Sequence, residues 1–335
     1  MNALTLTNTA WSTNEHAFPG KGTMDEKLRF LLNYAILAPS LQNTQPWKFA
    51  VRGDEIRVLA DTLRWMPVTD PDQRELYISV GCALTNLLVA ATHFGFRYEV
   101  HYFPQDDDKL WVATVKFIDQ NHTMTLADRE LFYAIPQRHT NRQVYLNKAV
   151  SERDLQEIRN AVDDPNVSLF LSDSIEVKRR VDQLQVQADF TQFADPHYRD
   201  ELAYWMNQGA LNPSWLISRV GQMAVTYLNM GSSTTQKDAE LLASAPLVGV
   251  LSTAENGHFH QVKAGEVFEH IALAGTGLRM GIQPMSQLLQ VPALKAEVGA
   301  LTSTPELEPQ FIFRIGYAEP AAGYTPRHQL ESVLA

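Results

Sequence analysis

The sequence predicts an α+β chain in which one order of helices and strands occurs twice in tandem. Three observations predict it: apolar residues at helical spacing before residue 36, a hairpin and a strand pair around a long amphipathic helix, and a return of that order after residue 123. A polar stretch, 1–23, ending in Pro19, Gly20 and Gly22, precedes the pattern and reads as an arm or extension.

From Met24, Leu28, Leu31, Leu32, Ala35 and Ile36 recur three and four apart and stop at Pro39, which predicts a helix. Residues 47–51 and 55–60 flank Gly53-Asp54 as a hairpin does. A helix over about 72–94 follows, with Leu76, Val80, Leu84, Leu87, Leu88 and Ala91 on its apolar face. Strand-like runs at 97–103 and 110–117 are separated by an acidic turn at Asp106, Asp107 and Asp108.

In the second half, helices are expected near 127–135 and 151–162, the latter opened by Ser151, whose hydroxyl can accept a free amide proton of the first turn. Residues 167–171, 247–251 and 310–317 read as strands, and 265–280 as a helix. The two long helices align from Gly81 and Gly265, with Ala83/Val267, Leu84/Phe268, Leu87/Ile271 and Ala90/Ala274 agreeing. Two unrelated amphipathic helices would agree about as well; the Gly95-Phe96 and Gly281-Ile282 that follow them, each leading into strand-like sequence, favour duplication. Residues 185–240 have no counterpart in the first half, and their aromatics and methionines suit either a helical lid over a pocket or a helical pair packed on the core.

Composition narrows the function. A net charge of −10 removes any overall attraction to nucleic acid or anionic lipid and favours small-molecule chemistry. One cysteine, Cys82, excludes an internal disulfide and a cysteine-built zinc or iron-sulfur site, and it sits on an apolar helix as a small core residue does. The N-terminus lacks the pattern of a signal peptide and no run reads as long enough to span a bilayer, so the expected location is cytoplasmic, and the N-x-[ST] triplets at Asn121 and Asn166 are chance matches.

Two stretches could carry chemistry. Pro39-Ser-Leu-Gln-Asn-Thr-Gln-Pro-Trp47 places donors and acceptors between two prolines, which suits the edge of a planar heterocycle, although a helix-to-strand loop with capping side chains has the same composition. Arg138-His-Thr-Asn-Arg142 packs two guanidinium forks, an imidazole and a hydroxyl into one turn, a set able to hold a phosphate. Gly275-Thr-Gly-Leu-Arg-Met-Gly281 has the wrong spacing and a helical approach for a dinucleotide loop. His258-Phe-His260 has no third metal ligand near it, and the adjacent Asn256-Gly257 reads as a hairpin turn.

SLQNTQPWKF resembles the S-x-x-N-x-Q-P-W segment of the nitroreductase family, and RHTNRQVY resembles its R-[RH]-S-x-R-x-[FY] segment, with Thr140 in place of serine. The helix leading into MGIQPM and the tail FRIGYAEP…TPRH are similar to the family's late helix and closing strand, so the resemblance spans roughly 24–330. It implies a pseudo-dimer of two repeats, 24–122 and 123–335, with antiparallel or mixed sheets flanked by helices, and 185–240 inserted as a lid. The order of the two segments is reversed relative to ordinary members. The first half keeps NTQPW and the second keeps RHTNR, so the chain retains one composite site of the usual two.

By the same resemblance, the cofactor is one FMN per chain. Arg138, His139, Thr140 and Arg142, with Arg327 from the tail, would hold its phosphate and ribityl chain; Pro39, Ser40, Leu41 and Asn43 would line the ring and ribityl; Gly281 and Ile282 would bring backbone to the ring. No side chain is expected to act as a catalytic acid, and no metal is expected. The expected activity is hydride transfer from NAD(P)H through FMN to a quinone, nitro-aromatic or related small-molecule acceptor, by a monomeric pseudo-dimer or a homodimer. The fused branch of the family also contains flavin-sequestering members, so FMN storage without reductase activity is the alternative, and a scaffold that binds no flavin is a third reading.

Overall fold

The computed structural model describes residues 6–7, 9–210, 246–320 and 323–335. The first half runs α1 (Met24–Ala35), β2 (Trp47–Arg52), β3 (Glu55–Ala60), α2 (Arg74–His93), β4 (Arg97–Tyr102) and β5 (Trp111–Asp119), after a short β1 (Leu6–Thr7). The second runs α3 (Leu126–Ala134), α4 (Glu152–Asn160), β6 (Val167–Ser172), α5 (Ile175–Ala194), α6 (Pro196–Asn207), β7 (Leu247–Thr253), α7 (His258–Gly277), β8 (Met280–Pro284), α8 (Gln287–Gln290), α9 (Pro292–Leu301), β9 (Glu308–Tyr317) and β10 (Arg327–His328).

Each half builds a four-stranded sheet of the same order, β2-β3-β5-β4 in the first and β6-β7-β9-β8 in the second. Every neighbouring pair is antiparallel, so neither sheet is mixed. In each, the long helix connects the second strand of the half to its third, and α2 packs on α7 between the sheets. The helices approach closely because both carry glycine at the crossing: a Cβ on Gly81 would lie 2.2 Å from the Val262 carbonyl oxygen, and one on Gly265 would lie 2.1 Å from that of Ile78. Cys82 is buried beside this crossing and its thiol donates to the Gly265 carbonyl at 3.3 Å, as a small core residue.

Local signals account for the helix starts. Thr23 and Glu26 close a capping box on α1, Thr125 and Asp128 do so on α3, and the Ser151 hydroxyl accepts from Asp154 N at 3.2 Å to open α4. Three expectations are corrected. The helix expected over 265–280 is His258–Gly277, and Met280 begins a strand that pairs with β9, entered through Arg279 in the left-handed region at φ +58°. Asn256-Gly257 is no hairpin turn: the Gly257 carbonyl accepts from Gln261 N at 3.0 Å, so His258 and His260 occupy the first turn of α7. Both breaks carry a glycine that admits more than one reading: Gly257 is the N-cap of α7 and Gly277 its last residue.

The third correction concerns α2, which is long and apolar enough to cross a membrane by length and composition, with mean hydropathy 1.4. Its most apolar window is 83% buried inside the fold, where α1, α7 and the first sheet cover it on all sides. In the described part of 1–23, Leu6–Thr7 pairs with Arg327–His328 and Phe18 stacks on Phe94 at 4.2 Å, so the extension lies against the body. Of the segment 185–240, residues 185–210 lie in the second part of α5, α6 and the turn after it; 211–240 lie outside the described residues.

Candidate functional site

The loop between α1 and β2 is strained where it carries amides. Gln42, Asn43 and Gln45 have φ of +45°, +58° and +53°, a region that costs non-glycine residues about 1 kcal/mol or more each unless side-chain bonds hold them. Those bonds are present. Ser40 Oγ accepts from Gln45 N at 2.9 Å, Gln45 Oε1 accepts from His328 N at 2.9 Å, and Ser79 Oγ accepts from Leu41 N at 3.2 Å. Leu41 packs against Met66, Tyr198, Leu202 and Trp205, which ties the loop to α6.

Asn43 links this loop to the C-terminal tail. Its amide donates to the Pro326 carbonyl at 3.0 Å and its Oδ1 accepts from Arg327 Nη1 at 3.0 Å. Arg327 also donates from Nη2 to the Leu37 and Ala38 carbonyls, at 3.1 and 3.2 Å. Arg138, donated by the turn after α3, reaches the same Leu37 carbonyl at 3.4 Å. Two guanidiniums from distant sequence thus converge on the end of α1, each no more than 3% exposed.

One carboxylate faces them. Glu269, on α7 and fully buried, lies 3.3 Å from Arg138 Nε, close enough for an ion pair but not aligned for a hydrogen bond. Asn86, with its amide turned to satisfy both neighbours, donates to Glu269 Oε1 at 3.0 Å and accepts from Ala38 N at 3.2 Å. Arg138 Nε, Arg327 Nε and Glu269 Oε2 are buried without a hydrogen-bond partner among the described residues. Burial pushes the Glu269 carboxyl up to about 7, with Arg138 and Arg327 opposing the rise. Burial, then the neighbouring Arg138, brings Arg327 down to about 9, against the pull of Glu269.

The remaining residues are placed as follows. Thr140 bridges to Ile282, and Asn141 N donates to the Ile282 carbonyl at 2.9 Å, so the basic turn lies along β8. Gly281 is buried against Asn141, where an added Cβ would meet Asn141 Cβ at 3.0 Å. Ser40 turns into its own loop, as described, and Arg142 is exposed at the surface. His139, lowered to about 4 by burial and then by Arg138 and Arg327, is held neutral. The tertiary structure thus gathers Asn43, Arg138 and Arg327 through shared partners at the end of α1, and Thr140, Gly281 and Ile282 along β8, while Arg142 is exposed.

Two residues were missed from the sequence. Trp11, in the arm, sits over the Arg327 guanidinium at 4.7 Å, stacks on Tyr324 at 5.0 Å and on His139 at 5.7 Å, and donates from Nε1 to the Thr325 carbonyl at 2.8 Å. Glu269 was legible only as an acid on the apolar face of a helix, matched with Thr85 when Gly81 is laid on Gly265. No group of three or more metal-ligating side chains occurs among the described residues.

An α+β chain with two antiparallel four-stranded sheets of the same strand order and a buried cluster of two arginines and one glutamate is the class that fold and site define. No family profile matches the chain. It is 30% identical over 316 residues to an uncharacterized protein, Rv3127, of Mycobacterium tuberculosis, covering 90% of each chain. It is 28% identical over 327 residues, 92% of this chain and 91% of the other, to the same organism's "Putative NAD(P)H nitroreductase Rv3131". Among solved structures it is similar to the FMN-dependent nitroreductase NfnB of Mycobacterium smegmatis in complex with NADPH, at 18% identity, 61% and 96% coverage and TM-score 0.40. It is also similar to a nitroreductase with bound FMN from Bacteroides fragilis, at 15% identity, 58% and 91% coverage and TM-score 0.39. The chain belongs to the nitroreductase family.

Proposed function

We propose that the chain holds one FMN and serves as an NAD(P)H-dependent reductase of a small acceptor. The observation that carries this reading is the convergence of Arg138 and Arg327 on the Leu37 carbonyl, with Glu269 beside Arg138 and both Nε atoms buried without acceptors among the described residues. Two guanidiniums opposite one titratable acid leave a net positive charge in the interior, and buried unsatisfied polar groups cost about 1–3 kcal/mol each. An anionic group such as a flavin phosphate fits that deficit.

In this reading Arg138, His139, Thr140, Arg142 and Arg327 hold the phosphate and ribityl chain. Pro39, Ser40, Leu41 and Asn43 form the wall from the first half, and Gly281 and Ile282 the wall along β8. When bound, FMN supplies hydride transfer from NAD(P)H to a quinone, nitro-aromatic or related acceptor. The chain's own part is to bind, orient and shield: Asn43 fixes the Arg327 fork, neutral His139 adds no further positive charge, and Trp11 and Tyr324 keep water from Arg327.

One site per chain is supported by the asymmetry of the halves. The α1-to-β2 loop has eleven residues, 36–46, whereas the corresponding α4-to-β6 loop has six, 161–166, and the register that carries Glu269 on α7 carries Thr85 on α2. FMN titration should therefore saturate at about one per chain, and two would sink the single-site reading. A monomer suffices for such a site.

A second reading, FMN storage without turnover, is favoured by Trp11 lying over Arg327 and by α6 packing on the 41–46 loop. Anaerobic addition of NADH or NADPH separates the two. Prompt bleaching of the yellow protein is expected of the reductase, and a yellow protein that does not bleach is a store. Colourless protein that added FMN does not restore would sink both.

A further inference from the structure

Glu269 takes no part in holding the phosphate in the reading above, yet it is the acid nearest the two buried guanidiniums. It lies in the interior of α7, and each element packed against it brings a named group. The turn after α3 brings Arg138 at 3.3 Å, and the tail brings Arg327, whose charge also acts on the carboxyl. From α2 come the Asn86 amide at 3.0 Å and the Cys82 thiol, which burial and then Glu269 hold well above its ordinary value. From the end of α1 come the uncharged Leu37 carbonyl, bound by Arg138, and the Ala38 amide, bound by Asn86. On α7 itself, Glu266 is tied to Lys263 at 2.8 Å and His270 to Asp163 at 3.5 Å. Of these, only Arg138 and Arg327 bring positive charge to Glu269 at neutral pH, so its protonation state decides the charge of the cluster there.

We propose that Glu269 is a positioning residue of the anion site, which by ion-pairing Arg138 sets the site at one positive charge or two, so that phosphate and a proton are taken up together. This rests on the FMN reading. With Glu269 ionised, Arg138 is already matched to a carboxylate and only Arg327 is in excess. With it protonated, both guanidiniums face the incoming phosphate. An arriving anion reverses the electrostatic support for Glu269's charge, and the carboxyl, already held near 7 by its burial, takes a proton from solvent. No bond other than that O–H is made.

The sign separates this from the ligand's own titration. A flavin phosphate has its second ionisation near pH 6, and contact with guanidiniums lowers it, so the ligand can only release protons on binding. His139 and His328, both brought down to about 4, remain neutral well above that. Arg327, brought down to about 9, can take up at most about a tenth of a proton by pH 8, so uptake beyond that between pH 7.5 and 8 is assigned to Glu269.

The test is calorimetric titration of the full-length protein, freed of flavin, with FMN at pH 7.5–8 in two buffers of different ionisation enthalpy. The wild type should take up a net fraction of a proton approaching about one per FMN, and Glu269→Gln, which keeps the shape and the contact to Asn86, should take up no more than about a tenth. The wild-type Kd should rise relative to that of the variant by up to about tenfold per pH unit above 7. Equal uptake by the two proteins would overturn the proposal. Should the variant not fold, net release by the wild type in that window would overturn it equally. Folded wild type giving no binding heat at all would sink the FMN reading and this inference with it, whereas binding without uptake sinks the inference alone.

Discussion

Gly81 and Gly265 mark the crossing of the two central helices, and each makes room for the carbonyl oxygen of the residue three positions before the other. The distances to an added Cβ, 2.2 Å at Val262 O and 2.1 Å at Ile78 O, are nearly equal, so the two helices approach each other alike at the crossing. The contact sets the spacing of everything that converges on it, including Asn86 and Glu269 one to two turns further along α2 and α7.

Alanine at Gly265 tests this relationship. Helix propensity alone would favour the change by about 1 kcal/mol. Backbone oxygen at 2.1 Å cannot give way as a side chain can, so overpacking, typically about 1–3 kcal/mol and here towards the upper end, should win. Chemical denaturation should show net destabilisation of Gly265→Ala, and of Gly81→Ala by a similar amount. A stabilised variant would mean that the helices do not meet there.

At the anion site, exposure separates the basic residues. Arg142 is at the surface, so Arg142→Ala should weaken FMN binding by less than about tenfold, in the range of exposed charge pairs, with riboflavin affected less still. Asn43 acts through Arg327, whose fork it fixes at 3.0 Å. Its φ of +58° makes glycine the clean replacement, since alanine would add backbone strain. Asn43→Gly should weaken FMN by about tenfold or more and riboflavin by less, read by fluorescence titration of both ligands; equal losses would place Asn43 against the ring instead.

Trp11 offers a direct reporter. Stacked on His139 and Tyr324 above Arg327, it should lose fluorescence when FMN binds, and a Trp11→Phe protein should lack that part of the quench. Trp11→Ala should release FMN faster, by about five- to thirtyfold for a cation–π contact and stack worth on the order of 1–2 kcal/mol, with Trp11→Phe intermediate. Unchanged dissociation in stopped flow would reduce the arm to packing.

His328 gives a pH signature. Burial first, then Arg64 and Arg327, bring its pKa from 6.5 down to about 4. The unfolded chain therefore binds more protons than the folded one between those values, and stability is lost as pH falls below 6.5, by at most about 1.4 kcal/mol per pH unit. Glu269, raised to about 7, acts in the opposite sense, its contribution being lost as pH rises towards 7, so the wild-type profile is a difference of slopes. His328→Gln isolates one of them: relative to wild type, it should gain stability progressively as pH drops from 6.5 to 4.5 in thermal melts. Parallel curves would show that His328 titrates normally in the folded chain.

Much of the architecture was legible because it rests on local rules. The periodicity of Leu28, Leu31 and Leu32, the Gly53-Asp54 hairpin and the Ser151 cap each act within a few residues, and all appear where expected. Element ends inside apolar sequence were not. Met280 to Pro284 is a strand because β9 lies beside it, a partner some thirty residues away that no local window contains.

The sequence by itself determined the inventory of this protein: a twice-used order of helices and strands, one amide-rich loop, one basic turn and a basic tail. Only the tertiary structure decided which of those groups are charged neighbours. Arg142 and Arg138 stand four residues apart, yet one is exposed and the other is buried against Glu269, from a different element. Trp11 and Arg327 come from opposite ends of the chain and meet because Leu6–Thr7 pairs with Arg327–His328. Spacing along a chain specifies local hydrogen bonding, whereas the dielectric and the nearest opposite charge, which set affinity and pKa, depend on what the whole fold packs around a group.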